Sequence, residues 1–556
     1  MFEYGIMPPL MFAGLVLFLL YGFPVAFSLA ACGLFFGLIG ILTGHFDAVF
    51  LQALPLRFFG VLSNDLLLAI PFFTFMGAIL ERSGLAEDLL EGAGQLFGPL
   101  PGGLAYAVVL VGAVMGAITG TVAASVIAMG IVSLPIMMRY GYNTRIATGA
   151  IAASGTIAQL IPPSLVLIIL ADQLGRSVGD MYAGAIGPSI MQVLIFLSFV
   201  LIVSIVKPHY MPPIPKEART ASSWRLLWKV AKAMVPSLVL MFLVLGTIFM
   251  GLATPTEAGA MGAVGAMLLA IMHRRLTWSL LWQGMESTTR ITAMVVFILI
   301  GSTVFSLVFQ GMDGGHWVQH LLSGLPGGQL GFLIFVNVFV FFLAFFLDFF
   351  EIAFIVIPML VPAAQALDID LVWFGVLLCV NMQTAFMHPP FGFALFYLRG
   401  IAPTSIRTSD IYMGAIPWLA MQLILVAIVI FWPESVTHWI KKDATVDPST
   451  IQLNVPMPGA GSTSPSSTMS PPSFGAPPPP SFGAPAQPSF GAPPPPSFGA
   501  PQQSAPAPTG PQPQPGAPLP QPSFGAPQQP APPAPQEQNQ GASPLPPPSF
   551  GNSGQQ

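Results

Sequence analysis

Across residues 6–432 long apolar runs alternate with short polar breaks, and most runs have the length of a membrane crossing. A helix needs about 20 predominantly apolar residues to cross the hydrocarbon core of a bilayer. On that measure the chain predicts spans near 6–22, 24–42, 65–83, 146–171, 183–206, 233–253, 257–272, 290–311, 373–399 and 411–432. Two further stretches, 102–138 and 328–366, are as apolar but are interrupted at mid-length. The first breaks in GAITGTVAAS around Gly120, the second in FFLDFFEIAF around Asp348. Each predicts a re-entrant helical hairpin, because interrupted backbone at that depth is tolerated only inside protein or beside a water-filled cavity.

Each hairpin is followed by a long span broken by a Pro-Pro pair. Pro162-Pro163 stands forty-three residues after Thr119, and Pro389-Pro390 forty-one after Asp348. Thr156 and Thr384 precede their pairs by six and five residues. The order is the same in both halves: three spans, a hairpin, a broken span, a final span. Five crossings per half is odd, which gives the halves opposite topology. Inverted repeats with paired discontinuous helices are the pattern of a secondary transporter whose site lies between the breaks. The expected fold is therefore an all-α polytopic membrane protein built from two inverted repeats of five spans. Residues 1–206 form the first (hairpin 102–138, broken helix 146–171), 207–232 a cytoplasmic connection, and 233–440 the second (hairpin 328–366, broken helix 373–399).

Composition agrees. Of 556 residues, 54% are apolar and 7% charged, against about 25% charged in soluble domains. That excludes an ordinary soluble enzyme, and a net charge of −4 gives no reason to expect a nucleic-acid partner. Cys32 and Cys379 lie in apolar runs and read as buried hydrophobes. Residues 448–556 differ sharply: they hold 34 of the 59 prolines, one charged residue (Glu537) and six Ser-Phe-Gly repeats. Such a composition predicts a disordered, partly polyproline-II tail.

Charge placement orients the chain. No basic residue precedes the first run, which argues against a cleaved signal and for an external N-terminus. The loop with Arg139 and Arg145, the Lys/Arg-rich connection 207–232, the run His273-Arg274-Arg275 and the pair Arg399 and Arg407 then all fall inside, as the positive-inside rule requires. Ten crossings place the tail outside, in the periplasm; Arg57, Arg176 and Lys441-Lys442 run against the pattern.

Glu257, in the turn Thr-Pro-Thr-Glu, suits a helix N-terminus. His316 and His320 in GGHWVQHLL have no accompanying third ligand and read as an interfacial helix with Trp317. No HExxH and no nucleophile elbow is present, which weighs against an intramembrane enzyme.

Together these residues resemble the large membrane subunit of tripartite ATP-independent periplasmic (TRAP) transporters. The resemblance covers roughly residues 1–440 and rests on Gly-Ala-Ile-Thr-Gly-Thr at 116–121, Gly-Thr…Ile-Pro-Pro-Ser at 155–164, Ala-Thr-Pro-Thr-Glu-Ala at 253–258, Phe-Leu-Asp at 346–348 and Pro-Pro-Phe-Gly at 389–392. It implies sodium-coupled uptake of an organic acid across a bacterial inner membrane. It also implies delivery by a periplasmic binding protein, a smaller membrane subunit, and elevator movement of the hairpin domain. QTAFMHPPFGFALFYLRG is similar to a branch handling 2-oxo acids, other monocarboxylates and some neutral compounds. The alternative is a stand-alone ion-coupled carrier or antiporter of the same architecture.

Given that resemblance, sodium is the only cofactor-like group expected, as coupling ion. A hard cation takes oxygen ligands, and the breaks expose carbonyls beside hydroxyls. The candidate ion ligands are Thr119, Gly120, Thr121, Ser125, Ser154, Gly155 and Thr156 in the first half, and Asp348, Glu351, Gln383 and Thr384 in the second. Thr121, Thr156, Pro162, Pro163, His388, Pro389 and Pro390 are the candidate substrate contacts, with helix N-termini at the tips suited to a carboxylate. A charge at such depth costs about 2.5–3.5 kcal/mol on insertion scales, so Asp348 is expected either to ligate or to hold the tip, and Glu351 to ligate or to share a proton with it. The second half departs from the family pattern at Phe349-Phe350-Glu351 and at His388, which replaces a common Thr and is expected to cap the broken helix or to donate to substrate.

Overall fold

Small polar residues at the edges of the apolar runs set where the helices begin. The computed structural model describes residues 5–215, 223–345 and 347–440, and every regular element among them is helical. The chain divides after Leu453 into two units, and all described residues belong to the first. The tail 448–556 and part of the connection 207–232 lie outside the described residues.

The first half runs through α1 (Met7–Leu20), α2 (Val25–Thr43), α3 (Leu54–Leu62), α4 (Asp65–Arg82) and α5 (Leu85–Phe97). The hairpin α6 (Gly103–Thr119) and α7 (Val122–Arg139) follows, then a broken span of α8 (Thr144–Thr156) and α9 (Leu165–Leu174), then α10 (Val178–Val206). Asn64, Asn143, Ser164 and Ser177 each accept a first-turn amide of α4, α8, α9 and α10, satisfying donors that a helix start would otherwise leave open. Ser164 thus restarts the helix just after Pro162-Pro163, whose peptide bond is cis.

The second half repeats the order. It comprises α11 (Ser223–Phe249), α12 (Pro255–Met272), α13 (Trp278–Gly311), the short α14 (Gly314–Ser323), the hairpin α15 (Gly328–Leu343) and α16 (Phe349–Ala366), a broken span of α17 (Leu371–Met382) and α18 (Phe393–Ile401), then α19 (Thr408–Phe431) and α20 (Glu434–Thr437). A π-helical turn, Ile352–Val356, lies inside α16. Thr254 and Glu257 form a reciprocal capping box on α12, the N-terminal role read from the sequence. Eight of the described helices are long and apolar enough to cross a membrane.

The helices correspond closely to the apolar runs, differing mainly by added or lengthened helices. Helices α3 and α5 fall where no element was expected, α13 begins twelve residues before the expected span, and α11 ten before its own. The polar start of α13 is helical in part because Glu286 and Arg290 pair one turn apart at 2.7 Å, a local gain that hydropathy does not register.

Two apolar cores hold the bundle. One surrounds α2, α4, α9, α13 and α15–α17; the other joins α6–α8, α10, α18 and α19 around Trp418, which packs edge-on against Phe196 at 5.1 Å. Helices α8 and α19 cross at Gly149 and Gly414, where a Cβ on either would overlap a backbone carbonyl of the other helix. Small residues at such a crossing let backbones approach without water or charge to drive association.

Candidate functional site

The first hairpin turns at a single residue. Gly120 sits at φ +62°, in the left-handed region, ending α6, and extended Thr121 begins α7. The hydroxyls of Thr119 and Ser125 are 2.8 Å apart and hydrogen-bond each other across the turn. The Thr121 side chain makes no cap bond to α7, so the first amides of that helix carry no side-chain acceptor.

The second tip is built differently. Asp348 accepts the amide of Glu351 and Glu351 accepts the amide of Asp348, each at 3.0 Å. The two carboxyl groups therefore form a capping box at the start of α16. Asp348 thereby caps α16, and Glu351 accepts its partner's amide in return.

Between the tips lies a cavity of about 250 Å³. Gly120 and Thr121 bound it on one side, Asp348, Phe349 and Phe350 on the other, and Ile291 and Met294 of α13 close it. Gln159 reaches it from the first break, while Phe386 and Phe393 flank the second. The cavity thus joins both hairpins, both broken spans and a helix outside them.

The remaining candidates lie deeper. Thr156, fully buried, donates its hydroxyl to the Ala153 carbonyl at 2.8 Å and accepts from Gln422 Nε2 at 2.9 Å. Its carbonyl accepts from Gln383 Nε2 at 2.6 Å, and Gln383 Oε1 accepts from Gln192 Nε2 at 2.7 Å. Gln192 and Gln422 occupy the same place along α10 and α19, fourteen residues past Val178 and Thr408. This buried relay ties the two broken spans to each other and to both final helices. Ser154 Oγ, Gln192 Oε1 and Gln422 Oε1 are buried in the same region without a hydrogen-bond partner. Gly155 packs against Val126 of α7. Thr384 donates to Asn381 at 2.7 Å, and Asn381 donates to the Asn337 carbonyl at 2.8 Å. Oxygen donors predominate, which suits a hard cation; among the described residues no group of three or more His, Cys, Asp or Glu gathers to hold another metal.

Of the expected substrate contacts, Thr121 lines the cavity. Thr156, Pro162, Pro163, His388, Pro389 and Pro390 stand back from it, although Pro163 presents its carbonyl to Gly120. The Pro389-Pro390 bond is cis like its counterpart. His388 is fully buried between Phe341 and Phe345, with ring centroids at 4.2 and 4.4 Å, and neither ring nitrogen has a hydrogen-bond partner. The expected cap is therefore absent: stacking on the second hairpin, not a bond to the broken helix, fixes the ring.

Gln159, Gln192, Gln422, Asn337 and Asn381 were not singled out from the sequence. Their signal was present, since a lone amide in an apolar span is costly unless partnered.

Residues 12–435 match the family described as the tripartite ATP-independent periplasmic transporter, DctM component. The C4-dicarboxylate TRAP transporter large permease protein DctM of Pseudomonas aeruginosa is 30% identical over 394 residues, 70% of this chain and 90% of that protein. The 2,3-diketo-L-gulonate TRAP transporter large permease protein YiaN of Escherichia coli is 27% identical over 74% of this chain and 94% of its own length. Among solved structures, the YdaH transporter of Alcanivorax borkumensis superposes with a TM-score of 0.51 at 15% identity, covering 70% of this chain and 89% of that one; at that identity the likeness is one of fold.

Proposed function

Because the chain belongs to the large permease family of TRAP transporters, it is a multi-pass inner-membrane transporter and not an enzyme, and we propose that it performs sodium-coupled uptake of an organic acid by an elevator movement. In this reading a periplasmic binding protein delivers the acid and a small membrane subunit completes the permease. The acid occupies the cavity between Thr121 and Phe349. Sodium is held by oxygens behind it: Thr119, Ser125 and Ser154 in the first half, Gln383 and Thr384 in the second.

The observation that carries the reading is the composition of the cavity wall. Both hairpin tips and both broken spans meet there, and Ile291 and Met294 of α13 cover them. Discontinuous helices converging on one site are typical of secondary transporters that work by alternating access. The α4 contact supports the reading: Gly77 lies so close to the Thr119 carbonyl that a Cβ would overlap it, so no side chain interlocks the tip with α4.

Uptake of radiolabelled organic acids into proteoliposomes, with the small subunit and with or without the binding protein, tests this reading. Uptake should need both the binding protein and an inward sodium gradient. Full uptake driven by a proton gradient in sodium-free medium overturns the coupling, and uptake without binding protein favours the stand-alone carrier.

A further inference from the structure

Two helix N-termini point at the cavity, and the chain has closed one of them. At α16 the carboxyl groups of Asp348 and Glu351 already accept each other's amides. At α7 the Thr121 side chain provides no cap, and Val122 and Ala123, whose amides open the helix, both line the cavity. A helix start with open amides favours an anion through its N–H groups and its dipole. Beside it stands Gln159, 1% exposed, lining the same cavity, with neither Nε2 nor Oε1 hydrogen-bonded. A buried amide left without partners is costly, so its place on the wall has a ligand-shaped explanation.

The opposite wall is aromatic: Phe349, Phe350, Phe386, Phe393 and Tyr397. No lysine or arginine is among the residues lining the cavity. We infer that the permease itself selects an acid with a single carboxylate and an aromatic or similarly bulky apolar body, with Gln159 as the selecting donor and the Asp348–Glu351 box as the filter against a second carboxylate. The inference rests on the cavity being the cargo site, as proposed above.

In this arrangement the carboxylate accepts from the first amides of α7 and from Gln159 Nε2, and the body lies among the five rings. A second carboxylate at the far end meets the Asp348 carboxyl, which Glu351 ties reciprocally to a helix start it already caps. Size agrees, since a cavity of about 150 Å³ admits benzene and this one has about 250 Å³.

The test needs no knowledge of the natural acid. Cys32 and Cys379 are buried, and Met294 lines the cavity while remaining 40% exposed, so Met294→Cys supplies an accessible thiol at the cavity. Maleimide labelling of this variant, as the full chain in inner-membrane vesicles with sodium, is followed with phenylpyruvate or succinate present. Phenylpyruvate should slow labelling about tenfold at a concentration where succinate does not, the scale of one hydrogen bond to a charged group. Gln159→Leu should abolish that protection, and Gln159→Glu, which keeps the shape, serves if the leucine variant fails to reach the membrane. The double variant Asp348→Asn with Glu351→Gln keeps oxygen acceptors for the cap and should let succinate protect.

Equal protection by succinate and phenylpyruvate overturns the selectivity while leaving the cavity as the cargo site. Protection by phenylpyruvate that survives both Gln159 variants overturns the role of that residue. Protection by neither probe overturns the placement of cargo in this cavity and leaves sodium coupling standing.

Discussion

Asp348 and Thr156 each spend their polar atoms on the protein, in ways that predict different consequences of substitution. The Asp348 carboxylate caps α16, a task Asn performs about as well and Ala does not. Replacing an N-cap by Ala costs about 1 kcal/mol. Asp348→Asn should therefore keep the thermal stability of the purified permease and Asp348→Ala should lower it, as read by melting in detergent; equal losses in both would show that charge, not capping, fixes the tip. Thr156 and Thr384 offer a second comparison. Thr156→Val leaves Gln422 Nε2 buried without its acceptor, at a cost of about 1–3 kcal/mol. Thr384→Val removes a hydroxyl that bonds only a carbonyl on its own span. Melting should fall further for Thr156→Val, while Thr384→Val should raise the sodium concentration needed for half-maximal uptake.

The helices are positioned by close backbone approach where small residues permit it. The α8–α19 crossing depends on Gly149 and Gly414 together, and overpacking of a filled contact typically costs about 1–3 kcal/mol. Gly149→Ala should therefore reduce stability and membrane abundance. Gly77→Ala acts at a different contact, between α4 and the first hairpin tip. An added methyl meets a backbone carbonyl there too, so abundance should also fall; if the hairpin slides past α4, uptake per copy should fall as well. Uptake rates normalised to immunoblot signal separate the two, and normal uptake by Gly77→Ala would count against sliding at this contact.

Across the whole molecule, sidedness follows from the parity of crossings. If the ten expected crossings begin from an external N-terminus, residues 448–556 lie in the periplasm, against the pull of Lys441 and Lys442. There the segment's repeated Phe would serve as a weak contact that raises the local concentration of binding protein near the permease. Protease added to intact spheroplasts should remove a C-terminal epitope. Truncation after Asp447 should lower uptake only when binding protein is scarce. A protected epitope would refute the topology, and an unchanged concentration dependence the contact.

Most of the helical layout was legible in the residues alone, because what fixes a helix in lipid is local. Apolar length sets the spans, and glycine, proline and short capping residues set the breaks at Gly120, Asp348, Pro162-Pro163 and Pro389-Pro390. Helices α3 and α5 escaped because they are shorter than a crossing. The destinations of polar side chains were settled only by tertiary structure. Thr156 meets Gln422 across 266 residues of sequence and Gln383 across 227, and Gln159 is left facing a cavity whose far wall is drawn from the other half of the chain. Such meetings depend on how each helix is rotated and where it crosses its neighbours, quantities that no local pattern encodes. Hydropathy could place His388 beside a break, but only packing against Phe341 and Phe345 decided that its ring stacks there without capping.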